Sequence, residues 1–145
     1  MQGSPSWSGG CACGGVRYRV SGPLREIVAC HCATCRRTSG HHVAATACRT
    51  ADLSVEDTGT LRWYQASAAA RRGFCGHCGG HLFFERLPAT GTTSLFAGTL
   101  DDTTGLALRT HIFTAEKSAY VTIPPGTRAF EGCPAAGDLP AVPSP

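Results

Sequence analysis

Apolar and polar positions alternate along much of the chain with a period of two. In GVRYRV (15–20), Val16, Tyr18 and Val20 fall on one side and Gly15, Arg17 and Arg19 on the other, which is the pattern of a strand with one buried face. Short β-branched or aromatic runs follow at TLRWY (60–64), HLFFE (81–85), SLFAGTL (94–100), LALRTHIF (106–113) and AYVTI (119–123), separated by clusters of Gly, Pro, Asp and Thr. Many short strands punctuated by turn residues predict an all-β domain. Only CATCRRTSG (32–40) reads as a helix, one or two turns long, with Ser39 and Gly40 as its stop.

The two ends differ from this pattern. The first eight residues, MQGSPSWS, are expected to form a flexible N-terminus, and GCPAAGDLPAVPSP (132–145), rich in Pro, Gly and Ala without periodicity, a disordered tail. Residues 9–131 form the expected domain, and a chain of 145 residues suffices for one domain with an apolar core. The net charge is +3 and the Lys and Arg residues are scattered, so the basic stripe of a nucleic-acid binder is absent. The opening residues lack a charged and then apolar leader pattern, and no apolar run reaches membrane-spanning length. The expectation is a cytoplasmic protein with neither a nucleic-acid nor a membrane partner.

Cysteine changes the picture. There are nine, an odd number without a secretion signal, which disfavours a disulfide framework and favours metal ligation. Seven lie in three tight clusters: Cys11 and Cys13 in GCACG, Cys30, Cys32 and Cys35 in CHCATC, and Cys75 and Cys78 in FCGHCGG. In a strand, residues two apart point to the same face about 6.6–6.8 Å apart, near the upper limit for a disulfide. Cys11 and Cys13 therefore look outward for a shared third party. The C-x-x-C of residues 75–78, bracketed by glycines, has the form of a zinc knuckle. A redox dithiol is less well supported, because strand-like segments rather than a strand and a helix flank the motif.

A structural zinc takes four protein ligands, whereas a catalytic zinc takes three and keeps one position for water or substrate. The simplest division of seven cysteines is thus Cys11, Cys13, Cys75 and Cys78 around one zinc and Cys30, Cys32 and Cys35 around a second. Spacing alone leaves His31, His77 and His81 open as further ligands. Cys48, on a strand-like run, reads as a small core residue.

GGCACGGVRYRV, CHCATCRRTSG, the YQAS stretch leading into RRGFCGHCGGHL, AGTLDD and HIFTAEKSAYVTI occur in that order. Together they resemble the glutathione-dependent formaldehyde-activating enzyme family, which includes the centromere protein V type. The resemblance implies a fold of antiparallel sheets of the Mss4-like or β-tent group, with zinc knuckles and at most one short helix. It implies structural zinc on Cys11, Cys13, Cys75 and Cys78, and catalytic zinc on Cys30, Cys32 and Cys35. It also implies a carbon–sulfur lyase that acts on a thiol such as glutathione and a small carbonyl compound such as formaldehyde. His111 and Lys117 belong to the resemblance.

Three thiolates on a zinc ion leave a net charge of about −1, so nearby cations favour a further anionic ligand. Arg36 and Arg37 directly follow Cys35 and are candidates to bind substrate carboxylates, since the guanidinium fork matches a carboxylate. His41 and His42 are candidate proton shuttles, because imidazole titrates near neutral pH. Two other readings remain: a zinc-stapled protein-interaction module without catalysis, and a thiol-redox or metal-handling protein in which Cys30, Cys32 and Cys35 cycle.

Overall fold

A computed structural model describes residues 3–145. Among the described residues eleven strands form two sheets. Strands β1 (Ser6–Gly10), β2 (Val16–Ser21) and β5 (Leu53–Asp57) make an antiparallel sheet in the order β1-β2-β5. The other eight are β3 (Ile27–Cys30), β4 (Val43–Arg49), β6 (Leu61–Ser67), β7 (Ala70–Cys75), β8 (His81–Arg86), β9 (Thr92–Phe96), β10 (Leu108–Ile112) and β11 (Arg128–Ala129). They lie in the order β11-β10-β3-β4-β9-β8-β7-β6. The all-β expectation holds, with one amendment: β10 runs parallel to both β3 and β11, so this sheet is mixed.

Alternation in β2 drives the packing. Val16, Tyr18 and Val20 are buried and join Leu82, Phe83 and Leu95 of the large sheet in the main core, while the intervening arginines stay at the surface. Tyr18 meets Phe83 edge-on at 5.6 Å between centroids, and its hydroxyl bonds Thr99 Oγ1 at 2.7 Å. Cys48 is fully buried in the same core. A smaller cluster of Cys35, Val43 and Phe96 lies apart from it, with Cys30, Cys32, Ala45 and Phe84 packed around it.

The one α-helix among the described residues, α1, spans Ala33–Ser39. Cys32 caps its start through a hydrogen bond from the Cys35 amide to its sulfur, and Gly40 closes it at φ 80° with its N–H on the Arg36 carbonyl. That left-handed cap is the reason the chain stops at a glycine.

Four expectations need correction. Residues 6–8 are not part of a flexible terminus: Ser6, Trp7 and Ser8 pair with Ser21, Val20 and Arg19. AYVTI is not a strand; Val121 N–H turns back to the Ser118 carbonyl, and Pro124 and Pro125 then remove two ladder donors. SLFAGTL splits, with β9 ending at Phe96 and a 3-10 turn at Ala97–Thr99. The segment 132–145 carries one 3-10 turn at Ala136–Asp138 and lies beside Phe84, Thr92 and Ser94 rather than hanging free. Among the described residues no helix is long and apolar enough to cross a membrane.

Candidate functional site

Seven cysteines converge in two groups. The sulfurs of Cys11, Cys13, Cys75 and Cys78 all lie within 4.8 Å of one another, and so do those of Cys30, Cys32 and Cys35. All nine cysteines are free of disulfides.

The four-sulfur group is made by two matching turns. Gly14 at φ 78° returns its N–H to the Cys11 carbonyl, and Gly79 at φ 76° returns its N–H to the Cys75 carbonyl. Backbone amides then point at sulfur, Val16 N–H to Cys11 Sγ at 3.3 Å and Gly15 N–H to Cys13 Sγ at 3.4 Å. The Gly15 amide favours the Cys13 thiolate, but burial and the hydrogen bonds of Cys11, Cys75 and Cys78 outweigh it and hold that thiol up to about 11. The Thr60 hydroxyl, 3.4 Å from Cys75 Sγ, is the main cause that holds that thiol down to about 6. Sulfur separations are 3.6 Å for Cys11–Cys13 and 3.7 Å for Cys13–Cys75. A tetrahedron with metal–sulfur bonds of about 2.3 Å has edges of about 3.8 Å. The donor set and its spacing fit a closed tetrahedral site.

The three-sulfur group sits where β3 runs into α1. Cys30 ends the strand, Cys32 caps the helix and Cys35 lies on its buried face. No fourth Cys, His, Asp or Glu joins them among the described residues. Arg72 of β7, only 5% exposed, directs both Nη1 and Nη2 to Cys35 Sγ at 3.7 Å, and its carbon lies 5.2 Å above the Phe84 ring. No acidic partner among the described residues neutralises it. A hydrogen bond with Cys30, helped by the Arg72 charge, holds the Cys35 thiol down to about 6 against the opposing effect of burial. Cys30 is pushed up by the same bond. A cation buried against three sulfurs suits a site that carries negative charge when loaded.

Histidines gather beside it. His31, between two of the cysteines and 1% exposed, bonds His111 through Nε2···Nδ1 at 2.9 Å. His42 lies over His31 at 4.8 Å between ring centroids and His41 over His42 at 4.1 Å. His41 Nδ1 meets the Tyr120 hydroxyl at 3.1 Å. Burial is the leading cause that lowers His31, to about 4, and that lowers His42 and His111. The Nδ1 atoms of His31 and His42 are buried without a hydrogen-bond partner.

Arg36 is half-buried with an unpartnered Nε, and Arg37 is exposed on the same helix. His77 is exposed and outside both sulfur groups. His81 stacks between Phe74 and Phe96, 5.9 Å from each, and joins neither group. Arg72, Thr60 and Tyr120 carry no signal in the sequence that separates them from ordinary strand and loop residues.

A family model described as glutathione-dependent formaldehyde-activating enzyme matches residues 6–116. An uncharacterized lyase of Schizosaccharomyces pombe is 31% identical over 80 residues, which cover 55% of this chain and 58% of that protein. The matched region thus spans little more than half the length of that relative. A crystal structure of a Rhodobacter sphaeroides protein from a structural genomics programme, 24% identical, superposes with a TM-score of 0.53 over 70% of this chain and 97% of its own. That likeness is one of fold.

Proposed function

The chain belongs to the glutathione-dependent formaldehyde-activating enzyme family, and from that premise we propose that it is a zinc-dependent carbon–sulfur lyase joining a thiol to a small aldehyde, and reversing that addition. The observation that carries the reading is the three-sulfur cluster, one ligand short of a tetrahedron, with the buried and otherwise unpaired Arg72 against it.

Two zinc ions are the proposed cofactors, a structural one on Cys11, Cys13, Cys75 and Cys78 and a catalytic one on Cys30, Cys32 and Cys35. At the second site a bound zinc supplies Lewis acidity and lowers the pKa of an added ligand. The rest falls to the side chains. Arg72 offsets the negative charge of the sulfurs. Arg36 and Arg37, on the helix that carries Cys35, are proposed to take substrate carboxylates through bidentate hydrogen bonds.

The reaction is an addition. The thiol sulfur forms a bond to the aldehyde carbon, the carbonyl π pair moves to oxygen, the thiol proton leaves sulfur, and oxygen gains a proton. The product is a hemithioacetal and no oxidant is needed. His42 is proposed to accept the thiol proton at Nδ1, the buried atom that lacks a partner, and to pass it through His41 to Tyr120, to which His41 is hydrogen-bonded, as the Tyr120 hydroxyl gives its own proton to the product oxygen.

The test follows ¹³C-formaldehyde and glutathione by exchange NMR with protein loaded to two zincs. Acceleration of hemithioacetal exchange that disappears in Cys35→Ser supports the proposal. An unaccelerated rate with both sites loaded overturns it.

A further inference from the structure

The segment that carries the three sulfurs is tied to the rest of the fold at few points. Cys30 ends β3, with Val43 of β4 and Ile112 of β10 in register on either side. Past Cys30, two backbone amides reach another part of the chain. His31 N–H donates to the Ile112 carbonyl at 3.0 Å, and Ala33 N–H to Glu116 Oε1 at 3.4 Å. Both acceptors belong to one short stretch, residues 112–116, so the placing of Cys32 and Cys35 relative to Cys30 depends on where that stretch sits.

The stretch does not hold itself. It leaves β10 through Phe113, which stands at φ 55° and ψ 40° and is the one residue other than glycine with a positive φ among those described. A residue with a Cβ keeps this left-handed conformation only where its surroundings fix it there. A 3-10 turn at Thr114–Glu116 follows, and the first amides of such a turn have no partner within it. Their partners come from residues 130–132. Phe113 N–H donates to the Gly132 carbonyl at 3.2 Å, Thr114 N–H to the Phe130 carbonyl at 3.0 Å and Ala115 N–H to the Glu131 carbonyl at 3.2 Å. The Thr114 hydroxyl also donates to the Phe130 carbonyl, at 3.1 Å. In return Phe130 N–H donates to the His111 carbonyl at 2.9 Å, and β11 runs parallel to β10 with Arg128 beside Thr110 and Ala129 beside His111.

The contacts thus form two tiers: residues 128–132 fix 110–115, and residues 112 and 116 fix the backbone between Cys30 and Cys35. The outer tier lies beyond residue 116, where the family match ends. The four-sulfur group is built on the turns at Gly14 and Gly79 and shares none of these bonds.

We propose that residues 128–132 are a strap that positions Cys30, Cys32 and Cys35: by holding Phe113 and the turn after it, the strap sets the two acceptors of the 30–33 backbone and keeps the three sulfurs within reach of one another. Release of the strap disables one cysteine group and leaves the other intact. The strap acts on the geometry of the sulfurs and does not rest on the lyase reading.

Two substitutions in the full chain test this. Phe130→Pro deletes the amide that bonds His111, whereas Phe130→Ala keeps that amide and loses only the ring. Titration with Co²⁺ alone, followed by its thiolate charge-transfer absorption, reads the two cysteine groups as two steps, and Cys35→Ser shows which step belongs to the three sulfurs. Loss of the backbone bond is expected to weaken the three-sulfur step of Phe130→Pro about tenfold and leave the four-sulfur step unchanged. Phe130→Ala is expected to match the parent. Phe113→Gly added to Phe130→Pro is expected to recover about threefold, since glycine takes a positive φ without the help of the strap. Equal weakening of both steps, an unchanged three-sulfur step, a defect in Phe130→Ala as large as in Phe130→Pro, or no recovery with glycine overturns the strap. If the parent shows no step that Cys35→Ser removes, the metal reading of the three sulfurs fails, and iodoacetamide labelling of Cys35 decides in its place, with the four-sulfur group loaded and the products mapped by mass spectrometry. Faster labelling of this buried thiol in Phe130→Pro than in the parent then supports the strap, and equal rates overturn it.

Discussion

Replacing Arg72 by Met keeps most of the apolar stem and removes the cation that faces Cys35. The guanidinium nitrogens stand 3.7 Å from that sulfur. At an effective dielectric of about 20, two unit charges at about 4 Å interact by about 4 kcal/mol. The negative charge is shared over three sulfurs, and loss of Arg72 also removes the cost of burying it, so the net effect on metal binding is about half, or about 2 kcal/mol. That is about a thirtyfold weaker dissociation constant at the three-cysteine site. The four-cysteine site is built from other residues and should be unchanged. Titration against a chromophoric chelator of graded affinity, read as two steps, measures both sites in one experiment. Arg36→Ala with Arg37→Ala serves as a control for general loss of positive charge and should leave both steps in place. If Arg72→Met binds its second zinc as tightly as the parent, Arg72 is not the counter-charge of the cluster and the electrostatic argument fails.

Cys78→Ser should lower the melting temperature markedly, because a structural metal contributes folding free energy directly, whereas Cys35→Ser should stay folded with one zinc instead of two; circular dichroism melts with metal analysis decide, and equal unfolding of both variants would make both sites structural. His31, His42 and His111 are all held neutral by burial, so the unfolded chain binds more protons than the folded one, and stability should be complete above about pH 6.5 and fall as pH drops towards about 4. Chemical denaturation between these limits, with metal content tracked in parallel, should show that loss, and His42→Asn should flatten it; an unflattened curve would remove His42 from the effect. Tyr18→Phe should cost about 1 kcal/mol in denaturant melts, near the modest end for a buried hydroxyl, because Thr99 still donates to the Phe96 carbonyl at 2.7 Å; a loss above about 3 kcal/mol would mean that the tyrosine holds more than this one bond.

The grouping of the cysteines was legible because their chemistry is local: C-x-C and C-x-x-C with flanking glycines specify turns whose amides face sulfur, whatever the rest of the chain does. Strand β2 was legible because one face is buried and the other wet. Strands β4 and β7 were less so, since β4 carries small residues on both faces and β7 runs ARRGFC, with two adjacent arginines. Those arginines have opposite fates: Arg71 pairs with Glu85 at the surface while Arg72 turns inward to Cys35. Only the pleat and the register with β8 separate them, and neither is written in residue type. AYVTI shows the reverse error, a good strand composition that turns back at Val121 and is followed by two prolines.

The four-cysteine group joins positions far apart, with Cys13 and Cys75 separated by 62 residues. A cross-link closing a loop of that length removes about 4 kcal/mol of chain entropy from the unfolded ensemble on the loop-closure model. A disulfide exerts that effect all or none, according to redox state. A metal would exert it in proportion to RT ln(1 + [metal]/Kd), so with the proposed zinc bound the fold's resistance to heat and proteolysis would be graded by the free zinc activity of its surroundings, and apparent stability would become a reading of metal supply.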